Sequence, residues 1–247
     1  MPLTPETSPI ITTPRVPSPM RPAAPPEQPT NQLVKHLPAD VKQRVEALTT
    51  RVPLERDAEL AQAGEISPWT YLPLSGVVSL QTMTEDGDTI EVAMIGREGI
   101  VGFPLAAMTL PSPHTAVVII RGDALRIKTE VLQAEFDRSA PLQRALLRYW
   151  HSLMEQMMKG SACHRFHSTR QRLARWLLEA SDRTQSATIE ITQERLAQAL
   201  GIQRTGVTTA SVSLQDLGVV RARHGRITVI HRERLRDVAC DCYGAHG

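Results

Sequence analysis

Hydrophobic positions change their period along the chain. From Ser75 to Lys128 they alternate. VVSLQTMT follows Ser75-Gly76, TIEVAMI opens at Thr89 with Ile90, Val92 and Met94 on one face, and TAVVII (115–120) and ALRIK (124–128) are parted by Arg121-Gly122-Asp123. Alternation over four to eight residues predicts half-buried strands. The run Glu85-Asp86-Gly87-Asp88 between the first two is a hairpin signal, because Asp-Gly tolerates the positive φ of a tight reversal. Short strands at such intervals predict a small antiparallel barrel or roll. Ahead of them, Leu37 to Glu59 reads as an amphipathic helix followed by an irregular connection.

Near Thr129 the period lengthens. Leu142, Ala145, Leu146, Tyr149, Leu153 and Met157 recur every three or four residues after Pro141, which suits the first turn of a helix. Trp150, Met154 and Met158 widen that stripe beyond one contact surface. Such a helix needs cover on two sides, the roll on one and a second copy of itself on the other. Burial inside a single large monomer is the alternative. A further helix, STRQRLARWLLEAS (168–181), places Leu173, Trp176, Leu177 and Ala180 on one face.

The stretch ITQERLAQALGIQRTGVTTASVSLQDLG (191–218) holds two helical patterns parted by Gly201. Thr192 is a suitable N-cap for the first, and Leu196, Ala197 and Leu200 form its apolar face. Gly201 permits the sharp turn. The second helix starts near Arg204, buries Val207, Ala210, Leu214 and Leu217, and stops at Gly218. This is the spacing of a helix-turn-helix. Its exposed face carries Gln203, Arg204, Thr205, Thr208 and Thr209, with no acid among them. VVRAR (219–223) and RITVI (226–230) follow as a hairpin about His224-Gly225, lined by Arg221, Arg223 and Arg226. A base-reading helix beside a basic wing predicts binding of double-stranded DNA.

Charge sharpens this reading. Residues 32–138 carry 10 Lys and Arg against 15 Asp and Glu, whereas residues 161–247 carry 13 against 8, and every basic residue after Lys159 is arginine. A polyanionic partner is therefore expected for the C-terminal part alone. Ten of the 18 prolines fall in the first 30 residues, a composition that cannot bury apolar surface and predicts a disordered tail. No run reaches the length of a membrane span, so no membrane association is expected. The N-terminus lacks the pattern of a signal peptide, and Cys163, Cys240 and Cys242 make no disulfide framework. The expected location is cytoplasmic.

On these residues the chain resembles the Crp/Fnr family of bacterial transcription regulators over about 32–243. ITQERLAQALGIQRTGV, LQDLGVV and HGRITV fit that family's winged helix, while SGVVSL, EDGDTIEVAMIG and EGIVGFP resemble its cyclic-nucleotide-type roll. The resemblance implies an α+β fold: an N-terminal antiparallel β-roll of the double-stranded β-helix or jelly-roll type, a long dimerisation helix and a C-terminal winged helix-turn-helix. The expected boundaries are a tail over 1–31, a sensor roll over 32–138, the dimerisation helix over 139–164 and the winged helix-turn-helix over 165–243. It also implies a homodimer on a two-fold symmetric operator, and contact with RNA polymerase. Arg204 falls on the family's guanine-reading arginine, whereas Thr205 and Thr209 stand where well-known members use Glu and Arg. Gln203, Thr192 and Gln193 fall on backbone-contact positions, and His224, Gly225 and Arg226 on the wing.

The sensor departs further. Gly102, Phe103, His114 and Thr115 fall on the family's ligand pocket, but Phe103 replaces the ribose-binding glutamate and His114 the phosphate-binding arginine. An imidazole cannot replace a fixed guanidinium fork, so cyclic AMP is not the expected effector. No cofactor is expected, and the effector is unknown. The iron–sulfur arrangement of oxygen-sensing members needs four cysteines, mostly near the N-terminus, and this chain has three, none before Cys163. Cys163 and His167, four apart, could share a helical face. Without further ligands nearby in sequence no metal site is expected, and a redox role for Cys240 and Cys242 stays open. No G-x-S-x-G, Walker A or H-E-x-x-H motif occurs, so no enzyme is expected. The alternatives to a cyclic-AMP-independent regulator are a sensor of another small ligand or redox signal, a regulator with a vestigial sensor, and a protein–protein adaptor.

Overall fold

A computed structural model describes residues 29–103 and 110–244, so nearly all of the proline-rich stretch lies outside the described residues. Two short helices, α1 (Gln32–Lys35) and α2 (Ala39–Ala47), lead into β1 (Thr50–Leu54), β2 (Glu59–Ala61), β3 (Trp69–Pro73), β4 (Val77–Met83), β5 (Thr89–Ile95), β6 (Thr115–Ile120) and β7 (Gly122–Lys128). The pairings are antiparallel, in the orders β1-β7-β3 and β2-β6-β4-β5. The expected hairpin forms between β4 and β5, with Gly87 at φ +87°.

Strand β1 replaces the irregular connection that the sequence predicts after α2, and β2 and β3 fill the stretch up to Ser75, where the sequence predicts no element. Arg51 and Pro53 disguise β1, but β1 pairs only with β7, and an edge strand tolerates a proline that lacks a ladder donor. Side-chain assignment on β5 also differs. Ala93 and Ile95 enter the core inside the roll with Leu54, Val78, Leu80 and Val118, whereas Met94 joins a separate cluster with the C-terminal helices. Strict alternation was visible in the sequence. Which side faced which neighbour depended on what later packed against the strand.

Helix α3 (Thr129–Arg138) leads to α4 (Ala140–Phe166), the long helix, which Ser139 caps by accepting from the Leu142 amide. Leu142, Leu146 and Leu153 are buried against the roll, and Tyr149 donates its hydroxyl to the Ile100 carbonyl at 3.2 Å. Met157, assigned by period to the buried stripe, is instead 37% exposed. Beyond an extended break at His167, α5 (Thr169–Thr184) starts with a Ser168–Gln171 capping box. There follow β8 (Thr188–Glu190), α6 (Gln193–Leu200), α7 (Arg204–Asp216), β9 (Val220–Arg223), β10 (Arg226–Val229) and α8 (Arg232–Val238), with the strands ordered β8-β10-β9.

One apolar cluster joins the roll to the C-terminal helices. Val77, Met94, Ile119 and Ile120 pack with Leu173, Trp176, Leu177, Leu196, Leu200 and Val207. Polar contacts fringe it: Trp176 Nε1 donates to Glu91 Oε1 at 3.0 Å, Arg183 Nε to Glu98 at 2.8 Å, and Arg195 to Asp57 at 2.6 Å. Gly201 serves two needs here. Its φ of +58° makes the turn, and a Cβ there would lie 2.6 Å from the Ile90 side chain.

Candidate nucleic-acid interface

Thr192 caps α6 through Oγ1, which accepts from the Arg195 amide at 3.2 Å. After Gly201, α7 begins at Arg204 with Gln203 as N-cap, and the Gln203 side chain makes no capping bond. Helix-terminal amides without a side-chain partner leave donors for an anion. Val207, Ala210 and Leu214 fix the inner face of α7 in the core. Leu217 does not join them; it is 39% exposed, because α7 ends at Asp216 and the chain turns away at Gly218, φ +68°. Gln203, Arg204, Thr205, Thr208 and Thr209 are all exposed.

The threonine hydroxyls are partly engaged. Thr208 donates to Gln193 Oε1 (3.0 Å) or to the Arg204 carbonyl (3.1 Å), and Thr209 to the Thr205 carbonyl (3.1 Å). Their methyl groups and remaining lone pairs stay available, as a base edge requires.

The wing forms as expected. Arg226 pairs with Arg223 across a two-residue turn in which His224 (φ 45°) and Gly225 (φ 74°) are both left-handed. Arg204, Arg221 and Arg223 are exposed and have no acidic partner among the described residues. Arg226 is different, since its guanidinium binds Glu190 at 2.8 Å, and the same carboxylate takes Arg56 at 3.3 Å and Arg121 at 3.9 Å. The three wing arginines are therefore not equivalent. A cleft of about 560 Å³ between α7 and the wing is lined by Thr192, Gln193, Arg204, Arg223, His224 and Arg226 among others. Sequence reading overlooked Gln215, which also lines the cleft and accepts from the Ala222 amide at 3.1 Å, tying α7 to the wing.

The roll's expected pocket residues do different work. Gly102 has φ +83°, and a Cβ there would meet the Trp69 carbonyl oxygen at 2.5 Å. Phe103 is 3% exposed and packs on Phe136, ring centroids 5.8 Å apart. Burial pushes the His114 imidazole below its ordinary range, so it is neutral near pH 7. Thr115 Oγ1 accepts from the Ala63 amide at 3.3 Å. The loop between them, 104–109, lies outside the described residues.

A second constellation forms where sequence offered only separate pieces. Cys163 on the last turn of α4, His167 at its end, and Cys240 and Cys242 after α8 present ligand atoms that all lie within 4.8 Å of one another. The Cys163 and Cys240 sulfurs are 3.5 Å apart, and Cys242 Sγ is 3.6 Å from His167 Nδ1. The hydrogen bond with Cys240 holds the Cys163 thiol below its usual range. That bond and burial push Cys240 up, and burial with the Cys163 charge pushes Cys242 up.

A roll, a long helix and a helix-turn-helix with an arginine-bearing wing make up the described fold. Residues 171–238 match the Crp-like helix-turn-helix domain. The described fold is similar to FixK2 from Bradyrhizobium japonicum, with TM-score 0.66 and 18% identity over 78% of this chain and 98% of that one. It is similar also to the c-di-GMP-responsive global regulator CLP of Xanthomonas campestris (0.64, 19%, 78% and 99%). A Crp/Fnr-family transcriptional regulator of Thermus thermophilus, TTHA1359, gives 0.64 and 19% over 80% and 100%. No curated protein sequence matches the chain. Residues 171–238 thus match the Crp-like helix-turn-helix domain, and the described chain shares its fold with these three regulators.

Proposed function

We propose that the protein is a sequence-specific DNA-binding transcription regulator that acts as a homodimer on a two-fold symmetric operator and does not respond to cyclic AMP. The observation that carries this reading is the meeting of exposed Arg204, Arg223 and His224 with the α6 cap residues Thr192 and Gln193 around one open cleft. Arg204 reads a guanine edge from the first turn of α7, and Thr205 and Thr209 meet neighbouring bases. Gln203, Thr192, Gln193, Arg221 and Arg223 hold phosphates and so set register without reading sequence. Arg226, braced by Glu190, positions the wing's turn.

The dimer reading rests on α4. Leu147, Met154 and Met158 are exposed along it at seven- and four-residue spacing, the pattern of a coiled-coil seam. A parallel pair joined there brings two α7 helices to half-sites about one DNA turn apart. RNA polymerase is the partner such a regulator addresses, and the cytoplasm the place it acts. In the roll, Phe103 is taken up by the core and His114 is neutral, so neither the carboxylate nor the fixed cation that cyclic AMP requires is present. Another small ligand or a redox signal is the second reading, favoured by the thiol cluster at the end of α4.

An operator selected from random duplexes and titrated by fluorescence anisotropy tests the proposal. Affinity should fall steeply as salt rises, through counterion release, and sedimentation should give a dimer. A salt-independent interaction would favour a protein adaptor instead. Calorimetry with cyclic AMP and with cyclic di-GMP tests the sensor; micromolar binding of cyclic AMP would overturn that part.

A further inference from the structure

The α4–α5 junction and the C-terminal segment carry soft donors that the DNA-binding reading does not use. Cys163 is fully buried and Cys240 is 4% exposed, while His167 and Cys242 are half-buried beside them. Two come from a C-x3-H spacing at the end of α4 and two from a C-x-C spacing beyond α8. A tetrahedral cation with bonds of about 2.3 Å to sulfur and about 2.0 Å to nitrogen sets sulfur pairs about 3.8 Å apart and sulfur–nitrogen pairs about 3.5 Å apart. The observed 3.5 Å and 3.6 Å lie close to those edges, and every other separation is below 4.8 Å.

An independent observation concerns the imidazole. His167 Nε2 lies 3.2 Å from Asp241 Oδ1, while Nδ1 faces the sulfur of Cys242. A carboxylate on one ring nitrogen fixes the tautomer and aims the other nitrogen's lone pair inward, as metal-bound histidines require. A four-iron cluster, several ångströms across, would hold its ligand atoms farther apart than this.

We propose that Cys163, His167, Cys240 and Cys242 form a closed tetrahedral site for one zinc-class divalent cation. Three thiolates and an imidazole select a borderline-soft metal over magnesium or calcium. Four protein ligands leave no open position for chemistry, so the site is structural. Binding releases the thiol protons and ties the end of α4 to the segment after α8, which packs on α5. In the regulator proposed above, a reading on which only this consequence rests, the clamp fixes the angle between α4 and the helix-turn-helix domain. It thereby sets the separation of the two α7 helices.

The full chain, expressed with zinc and purified under reducing conditions, tests this by elemental analysis. About one zinc per chain is expected, with a Kd below about 10 nM. Cobalt(II) alone, titrated into the metal-free chain, should give the intense visible absorption of a tetrahedral ion and a thiolate charge-transfer band. Cys163 is wholly buried and its loss could unfold the chain, so the informative variants are Cys242→Ser and His167→Gln. Both should keep native circular dichroism and lose most of the metal. Absence of zinc and of the cobalt bands would overturn the proposal, and so would a Cys163–Cys240 disulfide that persists in the chain purified under reducing conditions. Stoichiometric zinc with no operator binding would support the site and remove the regulator reading.

Discussion

Arg204 stands exposed on the first turn of α7, with no acidic partner among the described residues to neutralise it. Arg204→Ala should therefore cost about 1–3 kcal/mol of operator affinity and relax discrimination at one base position. Equal loss on every operator variant in a competition assay would contradict its base-reading role. Arg223 is equally free but sits on the wing. Arg223→Ala should weaken binding to all sequences alike and lower the slope of log K against log salt by about one. Both side chains were legible from local pattern, since an exposed first-turn arginine needs only the helix boundary to be right. The bracing of Arg226 by Glu190 was not, because Glu190 also gathers Arg56 and Arg121, which come from turns of the roll far away in sequence.

At the scale of elements, caps and turns were readable because their physics is local. Thr192 caps α6, Gly201 and Gly218 take positive φ, and His224-Gly225 turn the wing where Thr, Gly and a His-Gly pair said they would. Strands β1 to β3 were missed, since short edge segments with Arg51 and Pro53 show little alternation. Helix α4 sits between these cases. Its apolar width announced two contacts, but only packing divided it into a buried Leu142–Leu146–Leu153 side and an exposed Leu147–Met154–Met158 side. Met154→Glu with Met158→Glu should raise the dimer dissociation constant on the order of 100-fold while the monomer stays folded, because charges would enter an apolar seam. Sedimentation equilibrium measures this, and an unchanged dimer would place the interface elsewhere.

At the scale of the whole molecule, the contact between roll and helix-turn-helix contains a buried acid. Burial pushes the Glu91 carboxyl up to about 7, with nearby Glu179 adding to the rise; Ser79, Trp176 and Arg175 oppose it. The free carboxylate range is near 4.5. The folded state thus holds this proton more tightly than the unfolded chain. Its stabilising contribution is complete below about pH 4.5 and is lost as pH rises through 7, a difference of about 3 kcal/mol. His164, which lies close to the Glu91 backbone, is pushed down by burial and contributes the opposite slope. The difference between wild type and Glu91→Gln therefore isolates the acid. The variant should be the more stable at pH 8 and should lack the loss between pH 5 and 8 in thermal melts. Parallel curves would mean that Glu91 is ionised throughout.

The sequence by itself determined what neighbours along the chain can enforce: the α+β class, the order of most elements, the helix-turn-helix with its wing, and the exposed basic and polar side chains both carry. These follow from hydrophobic period, capping and turn chemistry, all of which act within a few residues. Tertiary structure decided what depends on distant encounters. It placed Phe103 in the core and joined the roll to the helix-turn-helix through Met94 and Trp176. It also carried Cys240 to Cys163 across 77 residues. No periodicity records such meetings, because they are set by how packed elements turn one part of the chain toward another.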